Sequence, residues 1–244
     1  MSLSKNRIKL ITSLQQKKYR QKYQLFVAEG IKVVKELLDS SLALEILFTV
    51  DSFAKDLPVD DIDKTVIITE GELKKISTLK TPNKVLGVFK IPEIVATKAK
   101  GLIVALDAVN DPGNLGTIIR LCDWFGIAQL VCSKDTVDCY NQKVVQATMG
   151  SLTRVQVNYL NLEEYLKKAN LPIFIADMGG HNVYETKLPK ESILVMGNEA
   201  NGVSLKIKEI ATHKIAIPRF GKTQETESLN VATATAILLS EFCR

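Results

Sequence analysis

The chain of 244 residues is poor in histidine, tryptophan and cysteine: it has His181 and His213, one tryptophan, and four cysteines at 122, 132, 139 and 243. Scarce histidine narrows the chemistry. A Ser-His-Asp triad, a histidine general base or a histidine-rich metal site would need that residue beside the motifs described below, and neither histidine stands near them. Cys122, Cys132, Cys139 and Cys243 form no C-x-x-C pair, so buried, reduced thiols are expected in place of a zinc site or a disulfide framework. No apolar stretch approaches the roughly 18 residues of a membrane span, and the N-terminus lacks the apolar core of a signal peptide. Gly113 and Gly116 alone match the G-x-G-x-x-G phosphate loop poorly, which argues against a nicotinamide-dependent oxidoreductase. The expectation is a cytoplasmic protein without a membrane partner and without a metal.

What is present suits an enzyme with a real core: 46% of residues are hydrophobic and 24% charged, enough for one large or two modest domains. Charge is uneven. Residues 1–35 carry Lys5, Arg7, Lys9, Lys17, Lys18, Arg20, Lys22, Lys32 and Lys35 against Glu29, a balance of +8 in a chain of net +5. The rest is therefore slightly acidic. Such a basic segment either is a solvated face or seeks a polyanion, and its concentration in one place favours nucleic acid.

A composition shift at Ile91–Lys100, with Pro92 and a small-residue, Lys-rich stretch, reads as a linker between a domain of residues 1–95 and one of residues 100–244. In the first, Leu25–Leu38 has helical spacing, Leu44–Val50, Thr65–Thr69 and Lys84–Lys90 read as strands, and Glu70–Ser77 as a short helix. In the second, Leu102–Leu106, Gln129–Cys132, Pro172–Ala176, Ile193–Met196 and Lys214–Ile217 read as buried strands with helices between them. The fold class is therefore α/β, a mostly parallel sheet with helices on both faces and a smaller N-terminal α/β domain. Ligands of such sheets bind at the carboxyl ends of the strands.

Three Gly-, Asn- and Pro-rich segments fall at those ends. The first, NDPGNLGTIIR over Asn110–Arg120, reads as an Asp111-Pro112-Gly113 turn, with Asn114 as N-cap of a helix that ends at Gly126. Arg120 is its charged exception, either a surface residue or a planar five-donor fork suited to phosphate. The second, MGNEANGVS over Met196–Ser204, sets Gly197, where a backbone amide can approach a ligand closely, beside the carboxylate of Glu199; a tight turn capped by Ser204 is the plainer alternative. The third, IPRFGKTQETESLNVA over Ile217–Ala232, leaves a strand at Ile217-Pro218. It opens a small-residue helix at Ser228-Leu229-Asn230, with Ser228 as the expected N-cap.

In order and spacing these segments resemble the three signature motifs of the SpoU (TrmH) family of RNA ribose 2'-O-methyltransferases, within the SPOUT superfamily. The segment KYRQKYQLFVAEGIKVVKELL, residues 18–38, also resembles the ribosomal-protein-like substrate-binding domain that precedes many of these enzymes. There Phe26, Val27, Glu29 and Gly30 would mark the turn into a helix that helps present RNA, or a strand-to-helix turn without RNA contact. The resemblance implies a deep trefoil knot in the C-terminal part, S-adenosyl-L-methionine as methyl donor and a homodimer. It implies that Arg120 is the main catalytic residue, with Asn114, Glu199, Ser228 and Asn230 completing the catalytic site. Gly197, Ile217 and Leu229, with Met196 and Pro218 beside them, would bind the cofactor. RNA, not DNA, is the expected partner, with ribosomal RNA preferred over transfer RNA. The stretch Arg219–Glu227 is about three residues longer and more charged than the compact version common in the family. Methyl transfer from a sulfonium needs no metal and no covalent intermediate, only an aligned acceptor oxygen and help with its proton. Arg120 would act on the 2'-hydroxyl directly, which arginine's basicity makes costly, or by holding the adjacent phosphate. The joint presence of Asn114, Arg120, Glu199 and Ser228 argues for an enzyme over a catalytically silent RNA-binding or ribosome-assembly module.

Overall fold

The computed structural model describes residues 3–55, 62–93, 101–221, 223 and 228–244. Much of the expected linker and of the long third-motif loop lies outside them. The chain starts with α1 (Lys5–Ser13) and α2 (Lys17–Tyr23), then β1 (Leu25–Glu29), α3 (Ile31–Leu38), β2 (Leu44–Thr49), α4 (Asp51–Ala54), β3 (Thr65–Ile67), α5 (Glu70–Ile76) and β4 (Val85–Lys90). It continues through β5 (Leu102–Leu106), α6 (Pro112–Trp124), β6 (Gln129–Ser133), α7 (Gln142–Thr148), β7 (Gln156–Leu160) and α8 (Leu162–Lys168). It closes with β8 (Ile173–Asn182), β9 (Ser192–Met196), α9 (Leu205–Ile210), β10 (His213–Ala216) and α10 (Val231–Cys243).

Two compact units result. One comprises residues 1–94 and 138–153, the other residues 95–137 and 154–244. The first is built on a four-stranded sheet, β1-β4-β2-β3, antiparallel except for β2 with β3. Helical spacing over Leu25–Leu38 proves half right, because Leu25–Glu29 is a strand paired with β4 and buried along its whole length. The break is Gly30, whose φ of +88° a side chain would resist. Beyond it Val33, Val34 and Leu37 are buried on one face of α3, and Phe26 stacks on Phe89 with ring centroids 5.8 Å apart. The other side of β1 meets α7, so a continuous apolar run is buried on both faces, as in a strand and not in an amphipathic helix. The Glu29 carboxylate, 3% exposed, accepts hydrogen bonds from the Ser77 hydroxyl, from the Thr78 N–H and hydroxyl at 2.9 Å each, and from the Gln142 amide. Those donors satisfy a charge that burial would otherwise penalise.

The second unit carries a six-stranded sheet in the order β10-β8-β9-β5-β6-β7, every neighbouring pair parallel. The five strands expected here are present. The sixth, β7, escapes the sequence reading because it is an edge strand, QVNYL, with polar residues alternating and only Asn158 fully buried. Chain order reverses direction across the sheet between β5 and its neighbours β6 and β9. Loops leaving β5, β8, β9 and β10 all emerge at the carboxyl edge, where the three motifs lie.

Candidate functional site

Each motif loop is shaped by local rules, and two of those rules differ from expectation. Asp111, not Asn114, caps α6: its carboxylate accepts from the Asn114 N–H at 2.8 Å, and Pro112 occupies the first helical position. Asn114 is thus the third residue of the helix, with its side chain free of capping. Likewise Asn230, not Ser228, caps α10, its Oδ1 accepting from the N–H of Ala232 at 3.0 Å and of Thr233 at 3.2 Å. The reason in both cases is that the cap must directly precede the first helical turn, and the helices start at Pro112 and Val231.

Because the caps sit there, a chain of polar side chains joins all three motifs. The Asn230 Nδ2 donates to Asn114 Oδ1 at 2.9 Å, and the Asn114 Nδ2 donates to the Glu199 carboxylate. Residues 116 and 85 positions apart in sequence are thereby locked to one another. The loops are further knit by backbone contacts: Asn198 donates to the Ala108 carbonyl at 2.8 Å, and the Ser204 N–H to the Asp107 carboxylate at 2.8 Å.

Beside this chain opens a cavity of about 670 Å³, within the range that encloses a nucleoside-sized ligand. Met196, Gly197, Ile217, Pro218 and Leu229, the five expected cofactor residues, line it together with Glu199 and Ser228. The wall at Gly197 admits only glycine. A Cβ there would fall within the backbone of Gly202 and Val203, where a short antiparallel bridge pairs Asn198 with Gly202. Leu238 and Val231 add apolar surface from α10, while Phe220 at the lining is 83% exposed.

Asp177 and Lys208 are cavity residues the sequence reading missed. The Lys208 ammonium lies 2.8 Å from the Asp177 carboxylate, which also accepts from the Gly179 N–H at 3.0 Å. The lysine first, and then that backbone donor, hold the Asp177 carboxyl below the usual carboxylate range. A signal was available: an acid directly after the apolar run IFIA, midway along β8. Asn114 and Asn230 are not among the lining residues and connect to the cavity through Glu199. Arg120 is neither in the lining nor in the polar chain; it lies on the exposed face of α6 with no hydrogen-bond or ion-pair partner among the described residues.

A largely apolar cavity with a glycine-backed wall and an Asp–Lys pair suits S-adenosylmethionine, whose adenine has flat aromatic faces and a polar edge and whose amino-acid end is zwitterionic. No group of three or more metal-ligating side chains occurs among the described residues, and no helix there is long and apolar enough to cross a membrane.

Comparison with known proteins agrees in both halves of the chain. Residues 101–240 match the model of the SpoU rRNA Methylase family, and residues 5–87 that of the MRM3-like substrate binding domain. The chain is 30% identical over 243 residues to the 23S rRNA (guanosine(2553)-2'-O)-methyltransferase RlmP of Bacillus subtilis, covering 98% of this chain and 96% of that protein. Among solved structures it is similar to a TrmH-family protein from Porphyromonas gingivalis, with a TM-score of 0.89 at 37% identity over 99% of this chain and 98% of that one. It is also similar to an AdoMet-bound rRNA methyltransferase from Sinorhizobium meliloti, with a TM-score of 0.86 at 29% identity over 99% and 95%.

Proposed function

The chain belongs to the SpoU rRNA methylase family, and from that membership we propose that it transfers a methyl group from S-adenosylmethionine to a ribose 2'-hydroxyl of RNA, with ribosomal RNA as substrate. The observation that carries this reading is that the second and third motif loops line one cavity while the first is tied to both through the Asn230–Asn114–Glu199 chain.

The donor supplies an electrophilic methyl on a sulfonium; the protein's part is to hold the reactants and to stabilise charge. Met196, Gly197, Ile217, Pro218 and Leu229 enclose the adenosine, with apolar side chains against the ring and backbone groups towards its polar edge. Asn114, Glu199 and Asn230, held to one another, orient the acceptor nucleotide, and Ser228 faces the same cavity. Arg120 offers five donors and no acceptor, so its fitting role is to grip the phosphate beside the target ribose. Its unpaired guanidinium leaves it available for that contact.

Residues 1–95 serve as the RNA substrate-binding domain, supported by the +8 balance of the first 35 residues. A homodimer follows from the family membership alone; light scattering would read its mass. A trefoil knot in the C-terminal part is supported by membership of the SpoU family, from which the expectation came. A cytoplasmic location accords with Cys122, Cys132 and Cys139 being buried and in no disulfide.

The test incubates purified protein with radiolabelled S-adenosylmethionine and, separately, ribosomal and transfer RNA lacking native modification, followed by nucleoside digestion. Label in a 2'-O-methylated nucleoside from ribosomal RNA is the expected result. Label only from transfer RNA would move the substrate. Cofactor binding without transfer to either would point to an assembly intermediate as substrate, and absence of cofactor binding would sink the enzymatic reading.

A further inference from the structure

We propose that α2 is a stacking platform for unpaired nucleotides of the RNA substrate, formed by Tyr19 and Tyr23 with Lys18 and Lys22; this rests on the RNA-directed function above. The helix, KKYRQKY, has one buried residue, Arg20. Its guanidinium makes four hydrogen bonds: Nε and Nη2 donate to the Asp138 carboxylate at 2.8 and 2.6 Å, and Nη1 to the carbonyls of Leu14 and Gln15 at 2.8 and 2.9 Å. A buried, multiply bonded arginine stabilises little in net terms, but it pins the helix in one rotation about its axis.

That rotation decides what the solvent sees. Tyr19 and Tyr23, one turn apart, set their rings nearly parallel, 13° between planes with centroids 6.3 Å apart, and Tyr23 is 42% exposed. The Lys18 ammonium lies over the half-buried Tyr19 ring, 4.9 Å from its centroid, and that of Lys22 over the Tyr23 ring at 5.4 Å, so a base stacking there takes the place of an exposed lysine, which then meets the adjoining phosphate. Neither phenol hydroxyl has a hydrogen-bond partner among the described residues. Two aromatic faces with cations alongside provide both requirements of a single strand: π surfaces for bases and positive charge for the phosphates that connect them. Paired RNA keeps its base faces inside the stack, out of reach of a surface tyrosine. An acidic protein would need the lysines but not the rings. The combination therefore selects RNA with unpaired bases.

The test is fluorescence anisotropy on the full chain, using a labelled single-stranded RNA 12-mer and a hairpin of the same composition, beside the methyl-transfer assay. Wild type should prefer the single strand. The double variant Tyr19→Leu/Tyr23→Leu should lose about tenfold or more on the single strand and little on the hairpin, while Tyr19→Phe/Tyr23→Phe keeps binding, since stacking needs no hydroxyl. Lys18→Gln/Lys22→Gln, at exposed positions that leave the fold intact, should flatten the slope of log affinity against log salt by roughly 1.4, about 0.7 per phosphate contact, while keeping the preference for single strands. Equal loss of both RNAs in the leucine variant, no loss in either, or displacement of the single strand by polyglutamate in the lysine-dependent mode alone would each overturn the platform. Failure of the wild type to bind or methylate any RNA would instead count against the proposed function.

Discussion

Gly197→Ala is the most direct probe of the cavity wall. The added methyl would fall inside the backbone of Gly202 and Val203, and backbone cannot yield by changing a rotamer. The loop must open instead, straining the bonds from Asn198 N–H to the Gly202 carbonyl at 3.0 Å and from Gly202 N–H to the Asn198 carbonyl at 2.8 Å. Overpacking of this kind costs about 1–3 kcal/mol, and each hydrogen bond lost adds roughly 0.5–1.5 kcal/mol. A total of about 2–6 kcal/mol converts to a fall in Tm of roughly 4–24 °C for a protein of this size. The same movement displaces the wall shared with Met196 and Glu199, so affinity for S-adenosylhomocysteine should fall at least about tenfold, equivalent to 1.4 kcal/mol. Differential scanning fluorimetry and isothermal titration calorimetry read the two effects. Gly71→Ala is the contrast: nothing lies within 4 Å of its would-be Cβ in α5, and the change should be neutral or stabilise by up to about 1 kcal/mol. A Gly197→Ala protein that melts and binds as wild type would refute the close-approach argument.

Other perturbations separate roles that the site combines. Arg120→Ala should abolish methyl transfer while S-adenosylhomocysteine affinity is unchanged by calorimetry; undiminished turnover would remove Arg120 from the catalytic assignment. Asn230→Asp keeps the acceptor that caps α10 but loses the donor to Asn114, so Tm should hold while turnover falls, whereas Asn230→Ala should also cost about 1 kcal/mol of stability through the lost cap. In native protein a thiol reagent should titrate Cys243 and spare the buried Cys122, Cys132 and Cys139, all four reacting in denaturant. Burial, and then Asp123, push the Cys122 thiol up to about 12 from 9.0, so between those values the unfolded chain releases a proton that the folded one retains. Stability should therefore be intact below pH 9 and fall as pH rises towards 12, by up to about 1.4 kcal/mol per unit from this group; Cys122→Ala should flatten that slope in urea melts.

How much of this was legible beforehand varies with how local the cause is. The strands β5, β6, β9 and the first half of β8 were readable because strands buried on both faces are written as unbroken apolar runs, whereas β10, expected as buried, is an edge strand with only Ile215 buried. β7 was not, since an edge strand needs no such run. Leu25–Glu29 read as helix because period counting ran across Gly30, whose left-handed φ is a property of the folded backbone. The two caps were displaced by three and two residues, as turn chemistry names a set of eligible side chains and not which one meets the first free N–H.

By itself the sequence determined the basic N-terminal segment, the alternating α/β pattern and the three polar loops at strand ends, all of which depend on residues within a turn or two of each other. Tertiary structure alone decided that Asn114, Glu199 and Asn230 share hydrogen bonds, that Asp177 and Lys208 pair in the cavity, and that residues 138–153 join the first unit. Those contacts bring together residues tens of positions apart. Their partners are chosen by how the sheet is ordered, which local periodicity does not encode.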